Sequence, residues 1–383
     1  MPLSRPLAVL APTALVVASL LAAGPSAPAV GKPRPTSTAT PTPTPTPAAT
    51  DPFVRRSGGR LVANGLPYRF TGLNVYNANS VGGNCWYSMG SGGDLDASLT
   101  AAGPGKEAFR AWFFQPLATR GGVRDWSAFD HTLAVARSRG VRIVATLVNE
   151  WGQCEGWGDY AAGYKTESWY ASGYKTAPSS PGMPATYRQW VAEVVRRYRD
   201  DPTILAWQLV NEAEARTAYR GSCASSAAAT LKTFAADMSS LVKSVDPNHL
   251  VSLGTIGSGQ CGAAGGAYKD LHSVAGIDLC EYHDYQSGAL PGDEWNGMAT
   301  RIRQCRELGK PLFVGETGIL GSSAGGTLAG RAAALRSKLD AQFAAGVAGV
   351  LVWDWRDAAH GGSSTSGYEV GPGDPALDVL AAY

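Results

Sequence analysis

Short apolar runs alternate with amphipathic segments from Asp51 to the C-terminus, and this alternation predicts parallel strands joined by crossover helices. Eight runs read as strands: Arg69–Tyr76, Phe109–Gln115, Val141–Asn149, Ile204–Glu212, Leu250–Ile256, Ile277–Tyr285, Pro311–Thr317 and Val347–Trp355. Helical periodicity is clearest in Trp126–Arg139, Tyr187–Tyr198, Ala227–Val245, Glu294–Leu308 and Leu328–Ala345, whereas Asn77–Ala108 reads mostly as loop. Eight such units after residue 50 fit a (β/α)8 TIM barrel with enlarged loops at its C-terminal face, about 250 residues being typical of that fold. The competing architecture is an open doubly wound sheet. It calls for a glycine-rich phosphate turn after the first strand, and Leu73-Asn74-Val75-Tyr76-Asn77 offers none.

With 44% hydrophobic and 17% charged residues, the chain has ample material for a core and is not wholly disordered. Residues 1–50 carry Arg5, Lys32 and Arg34 and no acid, which leaves 30 basic against 31 acidic residues beyond them. A near-neutral domain argues against nucleic acid, which calls for a basic face, and suits an uncharged partner.

The first residues have their own pattern. Arg5 precedes an apolar stretch from Leu7 to Leu21, and Ala27-Pro28-Ala29 puts small residues where a signal peptidase cuts. Residues 1–29 are therefore expected to be a signal peptide, and the protein to be secreted and extracellular. Pro12 interrupts the run, and a membrane span needs about 18 clean apolar residues, so no membrane association is expected after cleavage. Residues 30–50 hold repeated Thr-Pro pairs, which favour extended polyproline II and a semi-rigid linker. Residues 51–383 form the expected folded domain.

Six cysteines, Cys85, Cys154, Cys223, Cys261, Cys280 and Cys305, follow the linker. An even number in an oxidising compartment favours disulfides. No two lie close enough for a zinc site, so neither a metal nor a cofactor is expected.

In a barrel of this kind the chemistry sits at the C-terminal ends of the strands, where polar residues carry information. Arg110 lies on the second strand; the third closes with Asn149-Glu150-Trp151, the fourth with Asn211-Glu212, the sixth with Tyr282-His283-Asp284-Tyr285, the seventh with Gly315-Glu316-Thr317 and the eighth with Trp353-Asp354-Trp355. Glutamates ending strands four and seven face each other across the mouth. A carboxylate pair flanking a bond is what glycoside hydrolysis uses.

Trp207-Gln208-Leu209-Val210-Asn211-Glu212 and Phe313-Val314-Gly315-Glu316-Thr317-Gly318 resemble the strand-four and strand-seven signatures of clan A glycoside hydrolases, and the match is closest to family 5. The resemblance extends to Arg110, to His283 and Tyr285 as His-x-Tyr, and to Trp353, and it covers nearly all of residues 51–383. It implies a retaining enzyme in which Glu212 is the acid and base and Glu316 the nucleophile. Glu212 would then hold a proton near neutral pH, while Arg110 and Tyr285 keep Glu316 ionised. Asn211 would hold the sugar 2-hydroxyl, His283 would orient its neighbours, and Trp353 would offer a ring face to the sugar. Many members have histidine where Asn149 stands, and Leu147-Val148-Asn149-Glu150-Trp151 resembles the endo-β-1,4-mannanases.

The long segment Asn149–Pro184 contains Trp151, Trp157, Tyr160, Tyr164, Trp169, Tyr170 and Tyr174. With Trp86 and Tyr87, about half of these rings are expected to line sugar subsites and the rest to form a small core under the loop. The expected activity is hydrolysis of mannan or glucomannan by a monomer, with a β-1,4-glucanase, an exo-β-mannosidase and a non-catalytic glycan-binding barrel as alternatives. Adjacency in the barrel selects one disulfide pattern from fifteen: Cys85–Cys154, Cys223–Cys261 and Cys280–Cys305.

Overall fold

The computed structural model describes residues 51–82, 85, 87–89 and 94–383. The expected signal peptide and linker, and Trp86, lie outside them.

Eight strands are buried along most of their length on both faces, which explains why they read as continuous apolar runs. They are β1 (Phe70–Asn74), β2 (Ala108–Trp112), β3 (Arg142–Thr146), β4 (Ile204–Gln208), β5 (Leu250–Ser252), β6 (Cys280–Asp284), β7 (Leu312–Thr317) and β8 (Gly349–Val352). All neighbours pair in parallel, in the order β5-β4-β3-β2-β1-β8-β7-β6. A bridge between Ser252 and Leu279 joins the two ends, so the sheet closes as a barrel. Close approach of β1 and β2 requires Gly72, since a Cβ there would meet the Ala108 carbonyl oxygen at 1.7 Å.

One principal helix follows each strand: α1 (Asp94–Ala102), α2 (Ser127–Ser138), α3 (Tyr187–Tyr198), α4 (Ala227–Val245), α5 (Gly266–His272), α6 (Met298–Glu307), α7 (Leu328–Ala344) and α8 (Ala376–Leu380). Their apolar stripes cover the outside of the barrel. On α4 the buried side chains Leu231, Phe234, Ala235, Met238 and Val242 recur at helical spacing. Fully burying one of the larger ones contributes about 1.5–3 kcal/mol, and Phe234→Ala would cost about 3–5 kcal/mol through the cavity it leaves. A capping box fixes where α3 begins: Thr186 accepts from the Gln189 backbone N–H while the Gln189 side chain accepts from that of Thr186.

Several expectations change. Asn77–Ala108 contains α1, whose buried Leu95, Ser98, Leu99 and Ala102 include a small polar residue that weakens the apolar stripe. Helix α6 starts at Met298 rather than Glu294, because Asp293 accepts from the backbone N–H groups of Trp295 and Asn296 and holds that stretch as a turn. Every strand but the seventh stops short of its expected C-terminal end. The polar residues expected to close strands three, four and eight lie beyond the ladder, whereas His283 and Asp284 of strand six pair with Glu316 and Thr317; a bridge between Asn149 and Asn211 extends the pairing of the third and fourth segments.

Before β1, an antiparallel meander of Val54–Ser57, Arg60–Ala63 and Leu66–Tyr68 was not apparent from the pattern. Its Val54 and Leu61 join Phe70, Val144, Leu205, Phe313 and Leu351 in an apolar cluster inside the barrel. The three disulfides pair as barrel adjacency predicts, Cys85–Cys154, Cys223–Cys261 and Cys280–Cys305. Among the described residues no helix is long and apolar enough to cross a membrane.

Candidate active site

Glu316 is the penultimate residue of β7, with its side chain almost wholly out of water. Arg110 of β2 donates through Nη1 to its Oε1 at 2.6 Å, and the Tyr285 hydroxyl donates to its Oε2 at 2.6 Å. The guanidinium is itself fixed, with Nε on Gln208 Oε1 at 2.9 Å, Nη1 on Asn74 Oδ1 at 3.0 Å, Nη2 on Asn211 Oδ1 at 2.5 Å, and its face over the Trp112 ring. A planar cation with this many directed donors cannot be replaced by lysine without leaving buried acceptors unpaired.

Glu212 follows β4 in the left-handed backbone region, at φ 62°. This conformation is costly for a side-chain-bearing residue and persists only where surrounding contacts impose it. Those contacts are visible: the Trp151 indole N–H donates to Oε2 at 2.6 Å, and His283 Nδ1 lies 2.8 Å from Oε1. An oxygen from each glutamate and a His283 nitrogen all lie within 4.8 Å of one another.

Burial pulls the His283 imidazolium down, but the charge of Glu316, the bonds to Glu212 and Glu281, and the charge of Glu212 outweigh it and raise its pKa to about 10. For Glu212, burial pushes upward, yet the His283 bond and charge, the Trp151 N–H and Arg110 leave it below the ordinary carboxylate range. Glu316 stays above that range, because burial and the Glu212 charge outweigh His283 and Arg110. This corrects the expected electrostatics. The shift at Glu212 is downward, toward the ionised form, and that at Glu316 is upward, the reverse of what the family roles imply.

A cleft of about 460 Å³ opens above the pair. Of the residues singled out from sequence, Trp151, Asn211, Glu212, Tyr285, Glu316 and Trp353 line it. Arg110 and His283 lie beneath, and Asn149 is absent from the lining. The Asn149 amide is engaged within the protein: Oδ1 accepts from Asn211 Nδ2 at 3.0 Å and from the Trp151 backbone N–H at 3.2 Å, while Nδ2 donates to the Gln153 carbonyl.

The cleft walls include rings that the sequence reading left out. Tyr76 stacks on Trp353 with centroids 5.0 Å apart, Trp112 lies beside both, and Tyr219 and Tyr368 also line the cleft. Within Asn149–Pro184 fewer rings reach the cleft than the expected half, two of seven, and Tyr87 stacks on His360 instead. Trp151 and Tyr160 face the cleft, whereas Tyr170 and Tyr174 pack with Trp169 around Phe234 of α4. Glu150 also turns inward, where it accepts from the Tyr170 hydroxyl. Arg356 enters the lining, held by Asp354 at 3.1 Å.

A family model described as GH family 5 beta-mannosidase-like matches residues 192–288, the span from α3 through β6 that includes Glu212 and His283. A rice protein (Oryza sativa subsp. japonica) named putative mannan endo-1,4-beta-mannosidase 9 is 30% identical over 359 residues, covering 84% of this chain and 86% of the relative. The chain belongs to glycoside hydrolase family 5. A second relative, named mannan endo-1,4-beta-mannosidase F, of Aspergillus fumigatus, is 30% identical over 207 residues, covering 50% of this chain and 43% of its own. Among solved structures, the endo-1,4-beta-D-mannanase of Thermotoga petrophila superposes with a TM-score of 0.60 at 22% identity, covering 82% of this chain and 99% of that one. A family 5 mannosidase of Rhizomucor miehei gives 0.63 at 15% identity, covering 88% and 97%. These two establish the shared barrel.

Proposed function

We propose that this family 5 glycoside hydrolase is a secreted retaining endo-β-1,4-mannanase that cuts mannan or glucomannan by double displacement. The observation that carries the mechanism is the short separation of Glu212 and Glu316 across the cleft. Oxygens of the two lie within 4.8 Å of each other, and carboxyl groups about 5–5.5 Å apart leave no room for a water between the second carboxylate and the anomeric carbon, whereas inverting enzymes hold theirs about 6.5–9.5 Å apart.

In the first step a Glu316 oxygen attacks the anomeric carbon as the glycosidic C–O bond breaks, and the departing oxygen takes a proton from Glu212. His283 supplies that proton to Glu212 along their 2.8 Å contact. In the second step Glu212 removes a proton from water, whose oxygen attacks the anomeric carbon and releases Glu316. Arg110 and Tyr285 hold the nucleophile's two oxygens, so its attacking orientation is set before substrate arrives. Trp353 and Tyr76 offer one aromatic surface to sugar and Trp151, Tyr160 and Tyr219 another, while Asn211 reaches the ring at the cleavage site.

The mannan specificity is supported by the names of the relatives and by the Asn149–Trp151 stretch. Exo-acting β-mannosidase activity is the second reading, favoured by the description of the matched family model. Residues 1–29 are proposed to direct export and residues 30–50 to act as a linker to the catalytic domain at 51–383.

Proton NMR of the first product checks the mechanism: the β-anomer should appear first, and early α-anomer overturns it. Glu316→Ala should abolish turnover, while Glu212→Ala should spare activated aryl glycosides and respond to azide. Product profiles on mannan, carboxymethylcellulose and short manno-oligosaccharides check the substrate. Internal cleavage of mannan is expected; release of single mannose units alone would favour the exo reading, and cleavage of cellulose with mannan intact would overturn both.

A further inference from the structure

Beneath the catalytic pair lies a second carboxylate system that the mechanism above does not use. Glu281 of β6 is fully buried inside the barrel, two residues before His283 and therefore on the same face of the strand. Its Oε1 lies 3.3 Å from His283 Nε2 and accepts from Gln208 Nε2, while its Oε2 accepts from Ser252 Oγ at 2.6 Å. Gln208 turns its own oxygen to Arg110 Nε at 2.9 Å and Thr146 Oγ1 at 2.6 Å. One unbroken chain of polar contacts thus runs from Glu316 through Arg110, Gln208, Glu281 and His283 to Glu212.

Space is kept open for it. A Cβ on Gly315 would lie 2.0 Å from Glu281 Oε1 and 3.1 Å from His283 Nε2, so residue 315 has no room for a side chain while the carboxylate stands there. A buried carboxylate is costly to desolvate unless partners satisfy it, and here both oxygens are engaged.

We propose that Glu281 is a positioning residue that acts through His283: it anchors Nε2–H so that Nδ1 points at Glu212, and it compensates the imidazolium while that proton waits. When Nδ1–H passes its proton to Glu212, the neutral ring keeps Nε2–H on Glu281. The second step returns the proton to the cluster, so none is gained or lost over the cycle.

The groups facing His283 are Glu212 from the β4 end, Glu316 of β7 and Glu281 of its own strand, with Arg110 beyond Glu316. Those near Glu281 are His283, Gln208 and Ser252. On the α5 side, Tyr268 donates to the Glu281 carbonyl and His272 lies within its field, with Arg301 over the Tyr268 ring. His272 is held neutral by burial, its pKa lowered to about 4. Removing the Glu281 charge therefore withdraws an anion that His283 faces directly.

The kinetic part of the test rests on the proposed glycosidase activity, whereas the spectroscopic part needs no substrate. Glu281→Gln keeps the shape and an acceptor oxygen but loses the charge. In this variant, ¹⁵N-imidazole NMR of the unliganded protein should show His283 losing its proton at least one pH unit lower than in the parent. On manno-oligosaccharide, kcat should fall about tenfold or more with KM changed less than twofold, and the alkaline limb of the pH profile should move down. Glu281→Asp, which keeps the charge, should restore the alkaline limb to within about half a pH unit of the parent. If Glu281→Gln does not fold, Glu281→Asp alone decides by the same limb. An unmoved His283 titration in folded Glu281→Gln, or an alkaline limb displaced equally by both variants, overturns the proposal. A normal titration shift with no turnover of any mannan would instead count against the substrate reading.

Discussion

The Trp151 indole N–H donates to Glu212 Oε2 across 2.6 Å, while the other oxygen of that carboxylate faces His283 at 2.8 Å. Trp151 is therefore both a cleft wall and a determinant of the proposed acid's charge. Trp151→Phe keeps a ring and removes the donor, and a hydrogen bond to a charged group contributes about 1.5–3 kcal/mol. Proton affinity at Glu212 should rise, the alkaline limb should move to higher pH, and kcat should fall about tenfold. pH–rate profiles on an aryl mannoside check this; a change confined to KM would reduce Trp151 to a wall.

Arg110→Met removes the cation at 2.6 Å from Glu316. A neighbouring positive charge lowers a carboxyl pKa by about 1–3 units, so its loss should raise that of Glu316 and carry the acidic limb upward by a similar amount. Activity at the pH optimum should fall by about 10²-fold or more, as for other lost donors at a charged reaction centre. An acidic limb that stayed in place would separate Arg110 from the nucleophile's ionisation.

Gly318 supports the Tyr285–Tyr368 pair. A Cβ there would approach both rings to 2.7 Å, and Tyr285 is the residue that donates to Glu316. Gly318→Ala should push Tyr285 off its 2.6 Å contact, and a misplacement of about 1 Å can cost 10²-fold in rate. A crystal structure of the variant with Tyr285 unmoved and full activity would contradict this.

Asp246, at the end of α4, ties that helix to the barrel. Its carboxylate accepts from the Trp207 indole at 2.7 Å, from His249 Nδ1 at 2.5 Å and from the Asn248 and His249 backbone N–H groups. Burial raises its pKa, but His249, Trp207 and the backbone donors outweigh it and leave the folded value depressed. The stabilisation is therefore fully present above the unfolded value of about 3.9 and is lost as pH falls through the folded one. Asp246→Asn should cost about 1–3 kcal/mol at pH 7, and the gap should narrow below pH 4 in urea titrations. A pH-independent gap would assign the cost to packing alone.

All eight barrel strands were legible because each is apolar on both faces, and Glu212 and Glu316 stood out by ending such runs. The meander at Val54–Tyr68 was not, since its strands are three or four residues long and include half-buried Arg55 and exposed Arg56 and Arg60. Tyr219 sits in a loop without periodicity, and only folding brings it to Trp151 and Tyr160. Glu281 did carry a signal. Glu281, His283 and Tyr285 recur at a spacing of two, the period of one strand face, and two of the three were already site candidates. The partners that join them, Gln208 and Ser252, come from other strands.

The apolar cluster closed below by Val54 and Leu61 also acts as an electrical insulator under the reaction centre. It excludes the high-dielectric medium from one side of the Arg110–Glu316 and His283–Glu281 contacts, where Coulomb interactions gain strength as solvent is removed. A base widened enough to admit water would weaken those fields without touching a sugar-contacting residue. Substitutions of Leu61 or Phe313, far from the mouth, can therefore retune the acidity of the carboxylates above them.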